Sequence, residues 1–210
     1  MSDSLRGPAM FVADAPALDF LNSVASPGGR HVDWLEDGAG WVDWLAQTGW
    51  VEPKVLAHIQ ARAMPGELDT IAAQARTLRD WFRDFVSKYR GQPLGAEAFG
   101  DLTALNRLLE RDDQFMQVSL APEATQPFQA QLVRRWPTPN ALLLPVAEIL
   151  ANFICSEDFT DIKHCEGAAC TLTFVDHTRG KKRRWCSMAV CGNRAKAAAH
   201  RERKKGTTSE

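Results

Sequence analysis

Apolar residues recur at three- and four-residue steps from 67 to 90, where Leu68, Ile71, Ala75, Leu78, Phe82, Phe85 and Tyr89 fall on one stripe and Gly91 follows as a stop. That spacing predicts a long central helix. Shorter helices are predicted around it. Asp14-Ala-Pro-Ala opens one through Asp19 to Val24, ended by Pro27-Gly-Gly; Trp41, Trp44 and Leu45 mark another, closed by Gly49; residues 54–63 form a third. Residues 96–111 place Leu102, Leu105, Leu108 and Leu109 on one side of a fourth. The period then changes. Gln114 to Leu120 and Phe128 to Trp136 alternate loosely about Ala-Pro-Glu-Ala-Thr-Gln-Pro, which predicts a β-hairpin. A last helix, about Asn140 to Cys155, is apolar nearly all round and is expected to be buried, with Cys155 as a core thiol. The pattern gives a mainly α, α+β domain with one small antiparallel element. It ends near Ser156 to Asp161, which divides the chain into residues 1–158 and 159–210.

Beyond that boundary the chemistry changes. Cys165 with Cys170, and Cys186 with Cys191, make two C-x4-C pairs separated by fifteen residues. Thiolates are soft donors that meet tetrahedral Zn²⁺ at about 2.3 Å, and four of them close the shell. One structural zinc is the expectation, with no open position for catalysis and with His177 outside the shell. Two disulfides or unrelated buried thiols are the other readings.

Charge separates the same two parts. Residues 161–210 hold 12 Lys and Arg against 5 Asp and Glu, a formal +7, while the other 160 residues carry 13 against 21, or −8; together they make the chain's −1. A compact basic module favours a polyanion, because each phosphate neutralised releases condensed counterions. A solvated basic tail is the plain alternative. The candidate nucleic-acid contacts are Lys181, Lys182, Arg183, Arg184, Asn193, Arg194, Lys196, Arg201 and Lys205. Gly192 is expected in a left-handed turn, with Asn193 capping a short Ala-rich helix from Arg194 to Lys205. At about 100° per residue, Arg194, Ala198, Arg201 and Lys205 share one face of that helix. Trp185 and Phe174 are expected to form a small core under the metal, with stacking on bases as the alternative.

These residues carry a resemblance. The run Arg184-Trp-Cys-Ser-Met-Ala-Val-Cys-Gly-Asn-Arg194, with Cys165, Cys170 and the Phe174-Val-Asp-His loop, resembles the CGNR zinc finger, whose name stands here as Cys191-Gly192-Asn193-Arg194. Leu18-Asp-Phe-Leu-Asn-Ser23 resembles the opening motif of the ABATE domain, which commonly precedes this finger in bacteria. The resemblance implies a stress-induced bacterial transcription regulator, with residues 159–210 binding DNA and residues 1–158 sensing a ligand.

Composition agrees with a soluble globular chain, at 45% hydrophobic and 24% charged residues. The opening Met1-Ser-Asp-Ser lacks a signal-peptide pattern, and no run of about 18 uncharged apolar residues occurs, so the expectation is the cytoplasm and no membrane. There is no Walker loop, G-x-G-x-x-G, H-E-x-x-H or G-x-S-x-G, and a non-enzyme is expected. Asp19, Asn22, Arg76 and Arg79 are the polar candidates for lining an effector pocket; the alternative is that they cap helices or pair with one another. Trp34, Trp41, Trp44 and Trp50 crowd together as core or as an aromatic-lined pocket. Three functions stand: a DNA-binding regulator, whose larger domain senses an effector or forms a homodimer; an RNA-binding protein; and a small-molecule enzyme with the finger as a structural clip.

Overall fold

The computed structural model describes residues 6–26, 29–121 and 126–206, so Pro27, Gly28, the hairpin connection at 122–125 and the side chain of Lys205 lie outside it. Along the chain run α1 (Pro16–Leu21), β1 (Val24–Ala25), β2 (Val32–Asp33), α2 (Gly38–Thr48), α3 (Pro53–Arg62), α4 (Glu67–Tyr89), α5 (Thr103–Leu109), β3 (Gln114–Leu120), β4 (Phe128–Arg134), α6 (Leu144–Ser156), β5 (Ile162–His164), β6 (Thr173–Val175) and α7 (Asn193–Gly206). The molecule is mainly helical, and the strands described form three separate antiparallel pairs.

The central helix is α4. Its stripe of Ile71, Ala75, Phe82, Phe85 and Val86 is buried against α1, α2 and the turn leading into α6. Phe82 and Phe85 continue into an aromatic cluster with Phe153 of α6 and Phe159, with ring centroids 5.6 to 5.9 Å apart. Such pairs add about 0.5–1.5 kcal/mol each beyond the area they bury. The tryptophans belong to this core. Trp34, Trp41 and Trp44 are buried, and Trp41 and Trp44 stack at 6.0 Å. Gly49 and Gly91, at φ 70° and 81°, take the left-handed conformation just beyond α2 and α4.

Several expectations change. Helix α1 stops at Leu21, because the Ser23 hydroxyl donates to the Phe20 carbonyl and β-branched Val24 pairs with Asp33 in a short ladder. Ala96–Leu102 is a 3-10 helix that becomes α-helical at Thr103; Gly100, with its low helix propensity, sits in that stretch. Cys155 is exposed, not a core thiol. It shares with Glu148, Asn152 and Ser156 the one outward stripe of α6. Residues 139–156 are long and apolar enough to cross a bilayer, but 56% of that stretch is buried within the protein, and Glu148 pairs with Arg134.

The predicted hairpin is present, with Val118 opposite Ala130 at its middle. Its base is fixed by Arg134, which forks to Asp112 at 2.6 and 2.7 Å and reaches Glu148 of α6 at 2.7 Å. Above that base most of its residues are exposed. The third ladder, β5–β6, joins the two sequence domains. Leu172, Phe174, Val175, Cys186 and Cys191 lie in one continuous core with α1, α4 and α6.

Candidate metal centre and nucleic-acid interface

The chain leaves the helical part at Phe159–Asp161, turns into β5, and reaches Cys165 at its end. The loop 166–170 returns Cys170 beside Cys165, and β6 then runs back into the core. Cys186 and Cys191 arrive from the other side on the turn that starts α7. The four Sγ atoms lie within 4.8 Å of one another. Cys170 and Cys186 are 3.8 Å apart and Cys186 and Cys191 3.6 Å. A tetrahedron with Zn–S bonds of about 2.3 Å has S···S edges of about 3.8 Å, so the donors fit that ion. The Cys186 amide also donates to Cys165 Sγ at 3.3 Å, which orients that sulfur.

Electrostatics agree with a cation. The Cys170 thiol is pulled down to about 5, chiefly by its hydrogen bond with Cys186. In return Cys170, with burial, pushes Cys186 far up, and burial pushes Cys191 to about 12. One thiolate thus makes its neighbours costly to ionise. A dication at the centre removes that penalty. Gly167 matters here through space: a Cβ there would lie 3.0 Å from Cys191 Sγ and 3.2 Å from Cys170 Cβ. Sequence reasoning missed it. His177 sits apart, with Nε2 3.0 Å from Glu157.

The turn behind the metal differs from expectation. Gly192 is not left-handed; it ends a π-helical turn, Met188–Gly192, in which both the Cys191 and Gly192 amides donate to the Ser187 carbonyl. The side-chain cap is Ser187, whose hydroxyl accepts from the Ala189 amide at 3.2 Å, and Asn193 is already helical. The signal was the Cys-Ser-Met step, a Ser ahead of an apolar run.

Asp176 is the other residue that sequence reasoning passed over. It is fully buried and accepts from Lys163 at 2.7 Å, from the Thr178 hydroxyl at 2.6 Å and from the Arg183 amide at 2.9 Å. Burial alone would raise this carboxyl; the lysine and the donors hold it far below the usual range. An Asp followed two residues on by Thr is a turn signal, which was the available clue.

The basic candidates divide. Arg183 turns inward: its guanidinium donates to Val12 O at 2.9 Å, to Trp185 O at 3.0 Å and to Cys186 O, pairs with Asp14, and covers the Phe174 ring at 4.2 Å. Lys181 is held by Asp161 and by Asp176 O. Arg184 pairs with Glu166 at 2.6 Å and lies over Trp185 at 5.0 Å. Lys182, Asn193, Arg194, Lys196 and Arg201 are exposed. A cleft of about 420 Å³ runs between loop 166–170 and α7, bordered by Arg194, Ala197, Ala198 and Arg201. Trp185 is half-buried and Phe174 wholly buried, the latter in the common core instead of a separate one.

The four pocket candidates have internal partners. Both ends of the Asn22 amide pair with the Thr173 backbone, at 2.8 and 2.9 Å. Asp19 Oδ1 accepts from the Val12 and Ala13 amides. Arg76 donates to Leu35 O and Glu36 O at 2.7 Å. Arg79 forks to Asp33 at 2.8 Å on both arms and touches Ser23 Oγ at 3.0 Å, while its Nε has no hydrogen-bond partner among the described residues. Although burial raises the Asp33 carboxyl, this guanidinium holds it below the ordinary range.

Comparison with known families matches both parts. The ABATE model, described as "Putative stress-induced transcription regulator", covers residues 14–157, and the CGNR zinc finger model covers residues 162–204. No curated protein matches the chain. With a four-cysteine site positioned for one structural zinc behind a helical domain matched over most of its length, the chain belongs to the ABATE family and ends in a CGNR zinc finger.

Proposed function

We propose that this regulator is a cytoplasmic, non-enzymatic DNA-binding protein that lays α7 against duplex DNA, with the zinc holding the helix and the helical domain acting as its platform. One observation carries this reading: the cleft beside α7, floored by alanines and bordered by Arg194 and Arg201. The two arginines are two turns apart, about 10 Å along the axis, far enough to meet separate phosphates. Glu166, the one carboxylate among the described residues of the cleft, pairs with Arg184. Helix α7 continues directly from its own π-helical turn and packs against it. A helix of about 10–12 Å diameter suits the major groove of B-DNA, whereas the major groove of A-form RNA is too deep and narrow for it. The internal ties of Asp19, Asn22, Arg76 and Arg79 favour a structural role for them over an effector pocket.

Anisotropy titrations of duplex DNA and structured RNA, at several salt concentrations, test the reading. Arg194→Ala with Arg201→Ala should keep zinc and fold, weaken DNA binding and lower the log–log salt slope by roughly one unit for each phosphate no longer neutralised. Unchanged affinity and slope, or preference for RNA, would overturn it.

A further inference from the structure

Strands β3 and β4 form a ribbon whose two faces are unequal. The ladder pairs Met116 with Leu132, Val118 with Ala130 and Leu120 with Phe128, and all six side chains stand on one face. Met116, Val118, Leu120, Phe128 and Leu132 leave 60 to 70% of their surface in solvent. The other face carries Gln117, Ser119, Gln129 and Gln131, with Val133 half-buried near the base and Phe115 covered by Arg135 at 4.3 Å. No charged residue occurs in 114–120 or 128–133. Exposed ribbons are ordinarily protected by charge or proline, and a two-stranded ribbon alone is marginal in water. The charges at its base, Asp112, Asp113, Arg134 and Arg135, are paired, and Glu123 lies in the connection, outside the two strands.

We infer that this face is covered by the same face of a second copy of the chain. Five large side chains and Ala130 present roughly 500–600 Å² of surface, so two copies face to face bury up to about 1,000–1,200 Å², the size at which specific interfaces begin. The face also matches itself. A two-fold axis lying between the two faces, across the strands at the level of the Val118 and Ala130 pair, lays the Leu120 and Phe128 tip of one copy over Met116 and Leu132 of the other, and small Ala130 lets the centres approach. A surface without charge has little to select a foreign protein by, whereas homodimer interfaces are the more apolar class.

The test uses the full-length zinc-loaded protein. Sedimentation equilibrium at micromolar concentration should give twice the 23.3 kDa chain mass. Val118→Glu places two carboxylates face to face at the axis and should raise the dimer dissociation constant about a hundredfold or more, with circular dichroism and zinc content unchanged. Gln117→Glu, on the opposite face, should leave the dimer intact. Hydrogen exchange on the wild type serves if a variant misfolds: amides of 114–134 should slow as concentration rises. A wild-type monomer, a dimer indifferent to Val118→Glu, equal loss with Gln117→Glu, or a monomer that floats with lipid vesicles through this face would each overturn the inference.

Discussion

Arg183 and Arg194 belong to one basic module, yet Arg183 bonds to Val12 and Asp14 of the helical domain and to Trp185 and Cys186, while Arg194 borders an open cleft. The inner half of the finger is thus tied to the helical domain. Asn22 seals Thr173, and the Val175 amide donates to Ala13 O at 2.9 Å. The outer half presents its cations to solvent. Charge counting treats the two alike; burial separates them, because a buried guanidinium must find acceptors and an exposed one need not.

The largest effect that tests this division is loss of the metal. Structural zinc contributes about 10–16 kcal/mol of apparent binding free energy in finger peptides, and here the site shares a core with α1 through Phe174 and Val175. Cys186→Ser should therefore abolish zinc and also lower the melting temperature of the helical domain, read by far-UV circular dichroism. A helical domain that melts as in the wild type would mean that the inner half is only loosely docked.

Next in size is the inward cation. Arg183→Ala strands the carbonyls of Val12, Trp185 and Cys186 and uncovers Phe174, and should cost about 3 kcal/mol or more in urea unfolding with zinc retained. Its neighbour Lys182 is exposed, so Lys182→Ala should stay within about 0.5 kcal/mol. Equal effects would erase the comparison.

Where a single period or spacing decides the structure, the sequence was readable. The α4 stripe, the stops at Gly49 and Gly91, the β3–β4 hairpin and the four cysteines all rest on local pattern. What escaped depends on partners distant in the chain. The two-residue β1 exists because Asp33 comes back to pair across from Val24, and the shared core exists because β6 lands on Asn22, far away in sequence. Cys155 was misplaced by composition: α6 is apolar enough to look buried all round, but only its phase fixes which stripe faces water. Likewise loose alternation described β3–β4 but not its exposure, since burial depends on what else the fold brings over a face. At the finger, Cys spacing revealed the ligands, while nothing local distinguished Arg183 from Arg194.

An effect smaller than that of Arg183 lies in the seam where the two regions meet. Segment 12–14 receives Arg183 and Val175 from the finger, and its own amides at Val12 and Ala13 donate to Asp19 Oδ1 at 2.9 and 3.0 Å. Burial, with the nearby Asp14 carboxylate adding a little, raises the Asp19 carboxyl from 3.8 to about 6 against the pull of those two amides. Because the folded value exceeds the unfolded one, the native state binds more protons between about pH 4 and 6, and stability falls as pH rises through that window. Asp176 titrates in the opposite sense and far below it. An amide at position 19 keeps an Oδ1 able to accept both bonds but does not ionise. Asp19→Asn should therefore match the wild type near pH 4 and exceed it at pH 7 by about 1–2 kcal/mol, discounted for partial solvent screening. The difference between the two denaturation profiles isolates this group from zinc-linked protons common to both. A flat difference, or a variant weaker at pH 7, would show that the charged carboxylate is what anchors segment 12–14 beneath Arg183.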